Sequence, residues 1–378
     1  MDLLVVAGEA SGDLRAAEVV EELLKTAPDL DVAAYGGPAL EQAGARLLYD
    51  LTHLALIGLT GVIRQLGTIR RLLREITSVL RRERPRAVML VDFPGFNRRV
   101  AAKAKRLGIP VVYFISPQVW AWLPGRAEKI ARVVDKMLVL FKFEKRIYEQ
   151  YGVDTVWVGH PMVDTVKAER PLEEVRVKHG LGNARLVALL PGSRRGEIEQ
   201  ILPVLLKTAG RLQAELPDLR FCLPLAPTLD PADVEGFLAR SPVEVIVVKE
   251  DGYALRQLAD LSLVASGTAT LEGALLGSPM VIVYRVGWMN YLLARMLIRV
   301  RNIGMVNIVA GEVIVPEFVQ GGARPELIAR EAADLLRNDD GRAGMRAKLE
   351  QVAVVLGAPG ASMRAAGEVA AMLGAGGK

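Results

Sequence analysis

Short apolar runs alternate with segments of helical periodicity along the first 160 residues. Two stretches, Leu14–Leu24 and Arg98–Leu107, repeat their apolar positions every 3.6 residues and predict helices. Apolar runs on either side of them are nearly continuous, which is typical of parallel strands that helices cover on both faces. The predicted strands are Leu3–Ala7, Val32–Tyr35, Ala87–Asp92, Pro110–Ile115 and Lys136–Phe141.

The same pattern begins again after Gly159-His160-Pro161. It predicts five further strands, Leu186–Leu190, Arg220–Leu225, Val243–Val248, Leu261–Ala265 and Pro279–Tyr284. We therefore predict an α/β fold of two doubly wound, Rossmann-like lobes, residues 1–163 and 164–350. A helical tail, residues 351–378 with a helix at Ser362–Leu373, is expected to pack on the first lobe or on the partner subunit of a homodimer.

Composition narrows the class of protein. Apolar residues make up 51% of the 378 positions, which excludes disorder, and no apolar stretch approaches the ~18 residues that cross a bilayer. The first residues lack the basic start of a signal peptide and lead directly to Glu9 and Asp13, so a cytoplasmic protein is expected. One cysteine, Cys222, and three histidines without metal-ligand spacing predict neither a metal site nor a cofactor.

Positive charge is concentrated in two segments. The net charge is 48 − 43 = +5, yet residues 64–86 alone hold eight arginines against two glutamates, and residues 285–301 hold four arginines and no acid. These arginines lie among aliphatic residues, and no nucleic-acid motif accompanies them. Nucleic acid is therefore excluded as the expected partner.

Ligands of open α/β sheets bind at the carboxyl ends of strands, so the residues after each run are candidate site residues. After the first run, Glu9, Ser11 and Gly12 stand where a phosphate or a sugar hydroxyl could bind beside a helix start. A simple strand-to-helix turn, with Ser11 or Asp13 as its N-cap, is the alternative. Asp92 ends the third run as either a general base for a hydroxyl or a cap of the following turn.

Two further loops add aromatic and anion-binding chemistry. Trp120 and Trp122 follow the fourth run and either line a sugar or acyl site or pack in the core. In the second lobe, Gly192, Ser193 and Arg194 lie between a strand and a helical stretch. Backbone N–H groups, the helix dipole and the arginine charge together suit a pyrophosphate. The alternative is a solvated pair of arginines, Arg194 and Arg195, beside Glu197 and Glu199.

The last candidate loop follows the strand that ends at Ala265. Ser266, Gly267 and Thr268 are small enough for a ligand to approach the backbone. Glu272 lies just beyond them, where its carboxylate could bind a ribose diol. A glutamate at such a position is more often a solvated surface residue, which is the alternative for Glu272 taken alone.

Taken in order, these motifs resemble those of lipid-A-disaccharide synthases, glycosyltransferases of the B-type fold with two Rossmann-like lobes facing a central cleft. The resemblance covers nearly the whole chain. It is carried by Gly8–Asp13, Val91–Asn97, Ser116–Trp122, Gly159–Pro161, Leu190–Arg194, Ser266–Glu272, Tyr284-Arg285 and Asn307. It implies inverting, metal-independent transfer of 2,3-diacylglucosamine from UDP to the 6-hydroxyl of 2,3-diacylglucosamine 1-phosphate, giving a β-1,6 disaccharide and UDP.

The resemblance also implies roles for residues. Asp92 would be the general base and Asn307 an essential polar group. The first lobe would face the acceptor and the membrane, and the second would hold the UDP-sugar. One departure is that Ile57–Gly61 lacks the glutamate that the family carries in this segment. Substrate and UDP contacts would come from Glu9, Ser11, Gly12, Gly192, Ser193, Arg194, Ser266, Gly267, Thr268 and Glu272.

The basic segments fit a surface that binds anionic lipid. Between Val62 and Leu80 the apolar residues form a helical stripe with arginines around it, which predicts that the stripe packs on the sheet and the arginines face lipid. Trp288–Val300 resembles an interfacial helix, with a buried helix as the alternative. We therefore expect peripheral association with the inner face of the cytoplasmic membrane. The candidate membrane contacts are Arg70, Arg71, Arg74, Trp288, Arg295 and Arg299.

Other functions stay open at this stage. A soluble sugar-nucleotide enzyme of the same fold, such as a UDP-N-acetylglucosamine 2-epimerase, would share the UDP site without a membrane face. A related lipid glycosyltransferase would use a different acceptor. A non-catalytic sensor of nucleotide sugars would bind UDP without needing Asp92.

Overall fold

The computed structural model describes residues 1–52, 66–122, 125–287 and 302–374. The chain forms two compact units. The first contains residues 1–161 and 356–378, and the second contains residues 162–355.

The first unit is built on a seven-stranded parallel sheet with the strand order β3-β2-β1-β4-β5-β6-β7. Its strands are β1 (Leu3–Ala7), β2 (Val32–Gly36), β3 (Arg46–Asp50), β4 (Ala87–Val91), β5 (Val111–Phe114), β6 (Lys136–Val139) and β7 (Asp154–Trp157). The helices that follow them are α1 (Ala10–Thr26), α2 (Pro38–Gln42), α3 (Leu66–Glu83), α4 (Pro94–Arg106), α5 (Val119–Trp122), α6 (Arg126–Ala131) and α7 (Lys142–Glu149).

The second unit has a six-stranded parallel sheet with the order β10-β9-β8-β11-β12-β13. Its strands are β8 (Arg185–Leu190), β9 (Leu219–Pro224), β10 (Val245–Val248), β11 (Leu261–Ala265), β12 (Met280–Tyr284) and β13 (Glu317–Val319). Its helices are α8 (Met162–Thr165), α9 (Leu172–Lys178), α10 (Arg195–Glu215), α11 (Ala232–Leu238), α12 (Gly252–Leu258), α13 (Ala269–Leu275), α14 (Met305–Ala310), α15 (Pro325–Arg337) and α16 (Asp339–Leu356), with a short 3₁₀ turn at Gln320–Gly322.

The central strands of both sheets are buried on both faces. Every residue of β1, β4 and β11 is buried, because helices cover each side of the sheet. Nearly continuous apolar runs are therefore what these positions require. The prediction of two doubly wound α/β lobes is confirmed.

The chain returns to the first unit through its last helix, α17 (Ala361–Met372), which packs along α1. The Ser362 hydroxyl donates to a carboxylate oxygen of Glu18 at 3.0 Å. The Arg364 guanidinium donates to the carbonyl oxygens of Val158, Ala358 and Pro359. The Glu18 bond attaches the helix to α1, and the Val158 bond attaches it to the loop after β7.

Each sheet reverses its strand order at one point. In the first unit the reversal lies between β1 and β4, and in the second it lies between β8 and β11. Loops that leave neighbouring strands in opposite directions open a crevice there, which is where such folds bind ligands. All the candidate loops of Glu9, Asp92, Arg194 and Ser266 begin at these two points.

Candidate active site

Asp92 occupies the residue directly after β4 and has an unusual backbone. Asp92 and Phe93 both have φ of +47°, in the left-handed region that non-glycine residues rarely adopt. Side chains hold this turn: the Asn97 amide donates to the carbonyl oxygens of Asp92 and Val91 at 2.8 and 3.0 Å, and the Tyr113 hydroxyl donates to the Asp92 carbonyl at 2.5 Å. A strained backbone fixed by buried partners is typical of functional sites.

The carboxyl group of Asp92 is adjusted for proton transfer. The group is half-buried, and burial is the main cause that raises its pKa to about 6. The negative charge of Glu9 raises the pKa further, and a hydrogen bond from the Phe93 backbone opposes the rise. A carboxylate with this pKa is ionised at neutral pH and still basic enough to accept a proton from a hydroxyl.

The loop after β1 lies against the same turn. A Cβ added to Gly8 would come within 2.2 Å of the Phe93 ring, so glycine is needed for the two loops to meet. Glu9, whose charge acts on the Asp92 carboxyl group, is exposed, as is Ser11, and Gly12 is buried at the start of α1. The exposed pair is thus available to a ligand.

Asp13 has a structural role. Its buried carboxylate accepts the backbone N–H groups of Gly37 at 2.6 Å and Ala39 at 3.0 Å. It therefore caps α2. Because α1 begins at Ala10 with Glu9 as its N-cap, the interpretation of Ser11 or Asp13 as the N-cap of this helix is wrong.

A buried glutamate fixes the tryptophan loop. Glu144 accepts hydrogen bonds from the Ser116 hydroxyl at 2.8 Å, the Trp120 indole N–H at 3.1 Å and the Phe141 backbone N–H at 3.1 Å. Ile115, the residue before Ser116, has φ of +62°. Trp120 is half-buried, and its bond to Glu144 anchors the indole ring at its nitrogen. The side chain of Trp122 lies outside the described residues.

In the second unit, the loop after β8 already binds a carboxylate. One Glu197 oxygen accepts the backbone N–H groups of Ser193 at 2.8 Å and Arg194 at 3.3 Å, and the other accepts from the Arg194 guanidinium at 3.3 Å. Gly192 has φ of +119°, which turns the chain into this arrangement. The Ser193 and Arg194 N–H groups, which were predicted to be open for a phosphate, are thus occupied by Glu197. Their arrangement suits an anionic oxygen.

The loop after β11 carries the second group of predicted contacts. Gly267 has φ of +157° and Thr268 is exposed at the N-cap of α13. The Ser266 hydroxyl donates to the Ile303 carbonyl at 2.8 Å. The structure thus places Ser266 and Gly267, both half-buried, at the same switch point as the Arg194 loop.

Glu272 lies in the first turn of α13 and is paired from behind. Its carboxylate accepts from the buried Arg256 guanidinium at 2.5 Å and from the Tyr253 hydroxyl at 3.5 Å. Its side chain is 22% exposed, so part of the carboxylate faces outward. Glu272 is therefore an oriented group and not a freely solvated surface glutamate.

Asn307 is fully buried in α14, and its amide is completely used. It donates to the Val315 carbonyl at 2.9 Å and to the Glu317 carboxylate at 2.7 Å, and it accepts the N–H groups of Ile314 and Val315 at 2.8 and 3.0 Å. Glu317 in turn accepts the N–H groups of Ile303 and Gly304. Asn307 thereby supports the segment whose carbonyl receives the Ser266 hydroxyl.

The predicted membrane contacts divide into two sets. Arg70, Arg71 and Arg74 are exposed on α3, whereas Ile69, Leu72, Ile76 and Leu80 on the same helix are buried in the core. Trp288, Arg295 and Arg299 lie outside the described residues, as does Ile57–Gly61. Among the described residues, no helix is long and apolar enough to cross a membrane, and no three His, Cys, Asp or Glu side chains are grouped to hold a metal ion.

Sequence reasoning missed several supporting residues, among them Glu144, Arg256 and Glu317. Glu144 has a weak local signal, because it stands three residues after the Phe141 N-cap, the spacing of a glutamate that caps its own helix. Arg256 and Glu317 have none, since their partners come from other elements.

Solved structures share the fold at low identity. UDP-GlcNAc 2-epimerase from Neisseria meningitidis, bound to UDP-GlcNAc, superposes with a TM-score of 0.58 and 16% identity over 91% of this chain and 94% of its own. CalG4, the calicheamicin glycosyltransferase, superposes with a TM-score of 0.62 and 16% identity over the full length of both chains. The two parallel sheets and their paired switch points thus define a B-type glycosyltransferase fold.

Sequence similarity then specifies the family. The lipid-A-disaccharide synthetase family model matches residues 3–366. The lipid-A-disaccharide synthase of Anaeromyxobacter sp. (strain K) is 44% identical over 97% of this chain and 96% of its own length. This chain belongs to the lipid-A-disaccharide synthase family and is a glycosyltransferase of lipid A biosynthesis. The resemblance predicted from the ordered motifs is confirmed.

Proposed function

We propose that the enzyme condenses UDP-2,3-diacylglucosamine with 2,3-diacylglucosamine 1-phosphate by inverting displacement. The observation that carries the proposal is Asp92, a half-buried carboxylate on a constrained turn at the switch point of the first unit. The acceptor 6-oxygen attacks the anomeric carbon, and the bond from that carbon to the UDP oxygen breaks with its electron pair leaving on UDP. Asp92 accepts the proton of the hydroxyl.

In this proposal the first unit binds the acceptor and the second binds the UDP-sugar. Glu9 and Ser11 are exposed at the start of α1, which follows β1 at the same switch point as Asp92, and there they would contact the acceptor sugar. Trp120, held by Glu144, offers an apolar surface on the same edge of the sheet. Each of these groups follows a strand end, where side chains converge.

The second unit supplies the charge that UDP requires. The diphosphate would take the place of the Glu197 carboxylate at the Ser193 and Arg194 N–H groups, with the Arg194 guanidinium stabilising the leaving group. Gly267 and Thr268 leave the backbone open to the nucleotide, and Gly192 would do so once Glu197 has moved away. Glu272 would accept hydrogen bonds from the ribose hydroxyls.

Asn307 is proposed to act as a positioning residue. All four hydrogen-bonding positions of its amide are filled by protein groups, so its influence reaches the substrate through Glu317 and the Ile303–Gly304 segment. Losing the amide would release the carbonyl that orients Ser266. Loss of activity without a direct substrate contact is the consequence.

We further propose that the enzyme works at the inner face of the cytoplasmic membrane. Both substrates carry acyl chains, and α3 presents Arg70, Arg71 and Arg74 outward while its apolar stripe is buried. Exposed arginines are attracted to anionic lipid headgroups at about 1 kcal/mol each. The helix would therefore bring the enzyme to the surface where its substrates reside.

The test is UDP release by purified protein in mixed micelles. We expect release only when donor and acceptor are both present, with a disaccharide 1-phosphate found by mass spectrometry. Sustained UDP release from the donor alone, or conversion of UDP-N-acetylglucosamine to its 2-epimer, would contradict the proposal. UDP binding without release under any of these conditions would favour a sensor.

A further inference from the structure

Arg256 is a buried cation outside the predicted set of site residues. Its side chain on α12 is only 6% exposed, yet it lies directly behind Glu272. One terminal nitrogen donates to a Glu272 carboxylate oxygen at 2.5 Å, and the other donates to the Ala269 carbonyl at 2.7 Å. The guanidinium therefore binds both the carboxylate and the backbone at the start of α13.

The helix that carries Arg256 is itself fixed. Glu169 accepts the N–H groups of Tyr253 and Ala254 in the first turn of α12, at 3.2 and 3.1 Å. The Tyr253 ring lies 5.8 Å from the guanidinium, and its hydroxyl reaches the second oxygen of Glu272. Both oxygens of Glu272 are thus contacted from the interior side.

This arrangement leaves a specific part of the carboxylate for a ligand. A carboxylate offers about four acceptor positions, and Arg256 and Tyr253 use one on each oxygen. The exposed remainder can accept two neighbouring hydroxyl groups, the pattern that a ribose cis-diol presents. A glutamate without these partners would sample several rotamers and lose part of each bond to the ordering of its side chain.

We propose that Arg256 is a positioning residue that orients Glu272 to bind the two ribose hydroxyl groups. Arg256 thereby sets the preference of the enzyme for ribonucleotide donors. This inference rests on the proposed function, in which Glu272 contacts UDP. Arg256 itself touches no substrate. Its effect is confined to the part of the affinity that the two ribose hydroxyls contribute.

The experiment compares the binding of UDP and 2′,3′-dideoxy-UDP to the full-length protein by calorimetry. We expect the wild type to prefer UDP by about tenfold or more, the size of one or two hydrogen bonds to a charged group. Arg256→Met should weaken UDP binding by about tenfold and leave dideoxy-UDP binding unchanged. Arg256→Lys should restore part of the preference, because it keeps the charge with a different donor geometry.

Arg342→Met is the matched control. Arg342 is also a buried arginine of the second unit, bonded to the carboxylate of Asp339 and to the carbonyls of Leu335 and Leu336. Its loss should destabilise the fold in the same way and leave the preference for UDP intact. With the UDP-sugar donor, Arg256→Met should raise KM and keep kcat within about threefold, provided that its far-ultraviolet circular dichroism matches the wild type.

The outcomes separate this inference from the proposed function. If Glu272→Ala abolishes the preference while both Arg256 variants keep it, Arg256 has no positioning role and the proposed function stands. If Arg256→Met weakens UDP and dideoxy-UDP equally, the effect is structural and the inference is overturned. If the wild type fails to bind UDP, or Glu272→Ala keeps the preference, the donor site itself is wrongly assigned and the inference falls with it.

Discussion

Asp92 shows how several weak effects adjust one carboxylate. Burial raises its pKa first and Glu9 second, while Asn97 and Tyr113 hold the backbone turn that aims it. Neither partner bonds the carboxylate oxygens themselves; both bind the Asp92 carbonyl. The geometry of the turn and the acidity of the side chain are therefore set by different residues.

The pKa of Asp92 predicts a pH profile. A general base works in its ionised form, so kcat/KM should rise with pH through about 6 and level off above it. Glu9→Gln removes a negative neighbour, which lowers the pKa and should shift the rising limb to lower pH. An initial-rate series in constant ionic strength measures both. A limb near pH 4 in the wild type, or a rate that falls between pH 5 and 7, would contradict the assignment.

Glu197 is expected to compete with UDP for the loop after β8. Its carboxylate occupies the Ser193 and Arg194 N–H groups that the proposal gives to the diphosphate. Glu197→Gln weakens this internal bond and removes a negative charge beside the ligand, so UDP should bind several-fold more tightly. Glu199→Gln, an exposed neighbour on the same helix, should have little effect. Weaker UDP binding by the Glu197 variant would contradict this prediction and would show that the Glu197 carboxylate is needed to shape the loop after β8.

Some residues of the candidate site could be located from the sequence and others could not. Asp92 and Arg194 were predictable because a residue just past a buried strand must lie at the ligand-binding edge. Glu144 had only the weak signal of a helix-capping glutamate and Arg256 had none, because their side-chain partners Ser116 and Glu272 stand 28 and 16 positions away and meet them only after folding. Periodicity identifies the strand ends, whereas the supporting hydrogen bonds depend on tertiary packing.

The strands that the apolar pattern missed all lie at the edge of a sheet. Strands β3, β7 and β13 are all at sheet edges, and their residues are mostly half-buried. An edge strand has one neighbour and partial solvent contact, so it does not need the continuous apolar run of a central strand. The remaining edge strand, β10, keeps such a run and was predicted. The central strands were predicted to within one or two residues at most ends for the converse reason.

Helix α3 is the element that separates packing from membrane contact. Its apolar stripe is in the core, so changing the exposed arginines should leave the fold intact. Replacing Arg70, Arg71 and Arg74 by glutamine should lower the affinity for anionic vesicles by about 10²-fold at low salt, because each charge contributes about 1 kcal/mol of binding free energy. Co-sedimentation with the vesicles measures this affinity. Glutamine at three exposed arginines of the second unit, Arg220, Arg240 and Arg330, is the matched control. Equal losses from both triple variants would reject α3 as the contact.

At the scale of the whole molecule, the two units repeat one architectural rule with different chemistry. The first unit places carboxylates at its switch point, Glu9 and Asp92, while the second places an arginine and backbone N–H groups at its own. Proton acceptance and diphosphate binding are thus proposed to belong to separate units. A variant that abolishes proton acceptance in the first unit should therefore still bind UDP measurably in the second.

Asp92→Asn tests this division most directly. Asparagine tolerates the left-handed backbone and matches aspartate in shape, so the turn should persist while the base is lost. We expect UDP affinity, measured by calorimetry, to stay within about threefold of the wild type while disaccharide formation falls by ~10²–10⁴-fold. Turnover within a few-fold of the wild type at pH 7 would contradict the assignment of Asp92 as the general base.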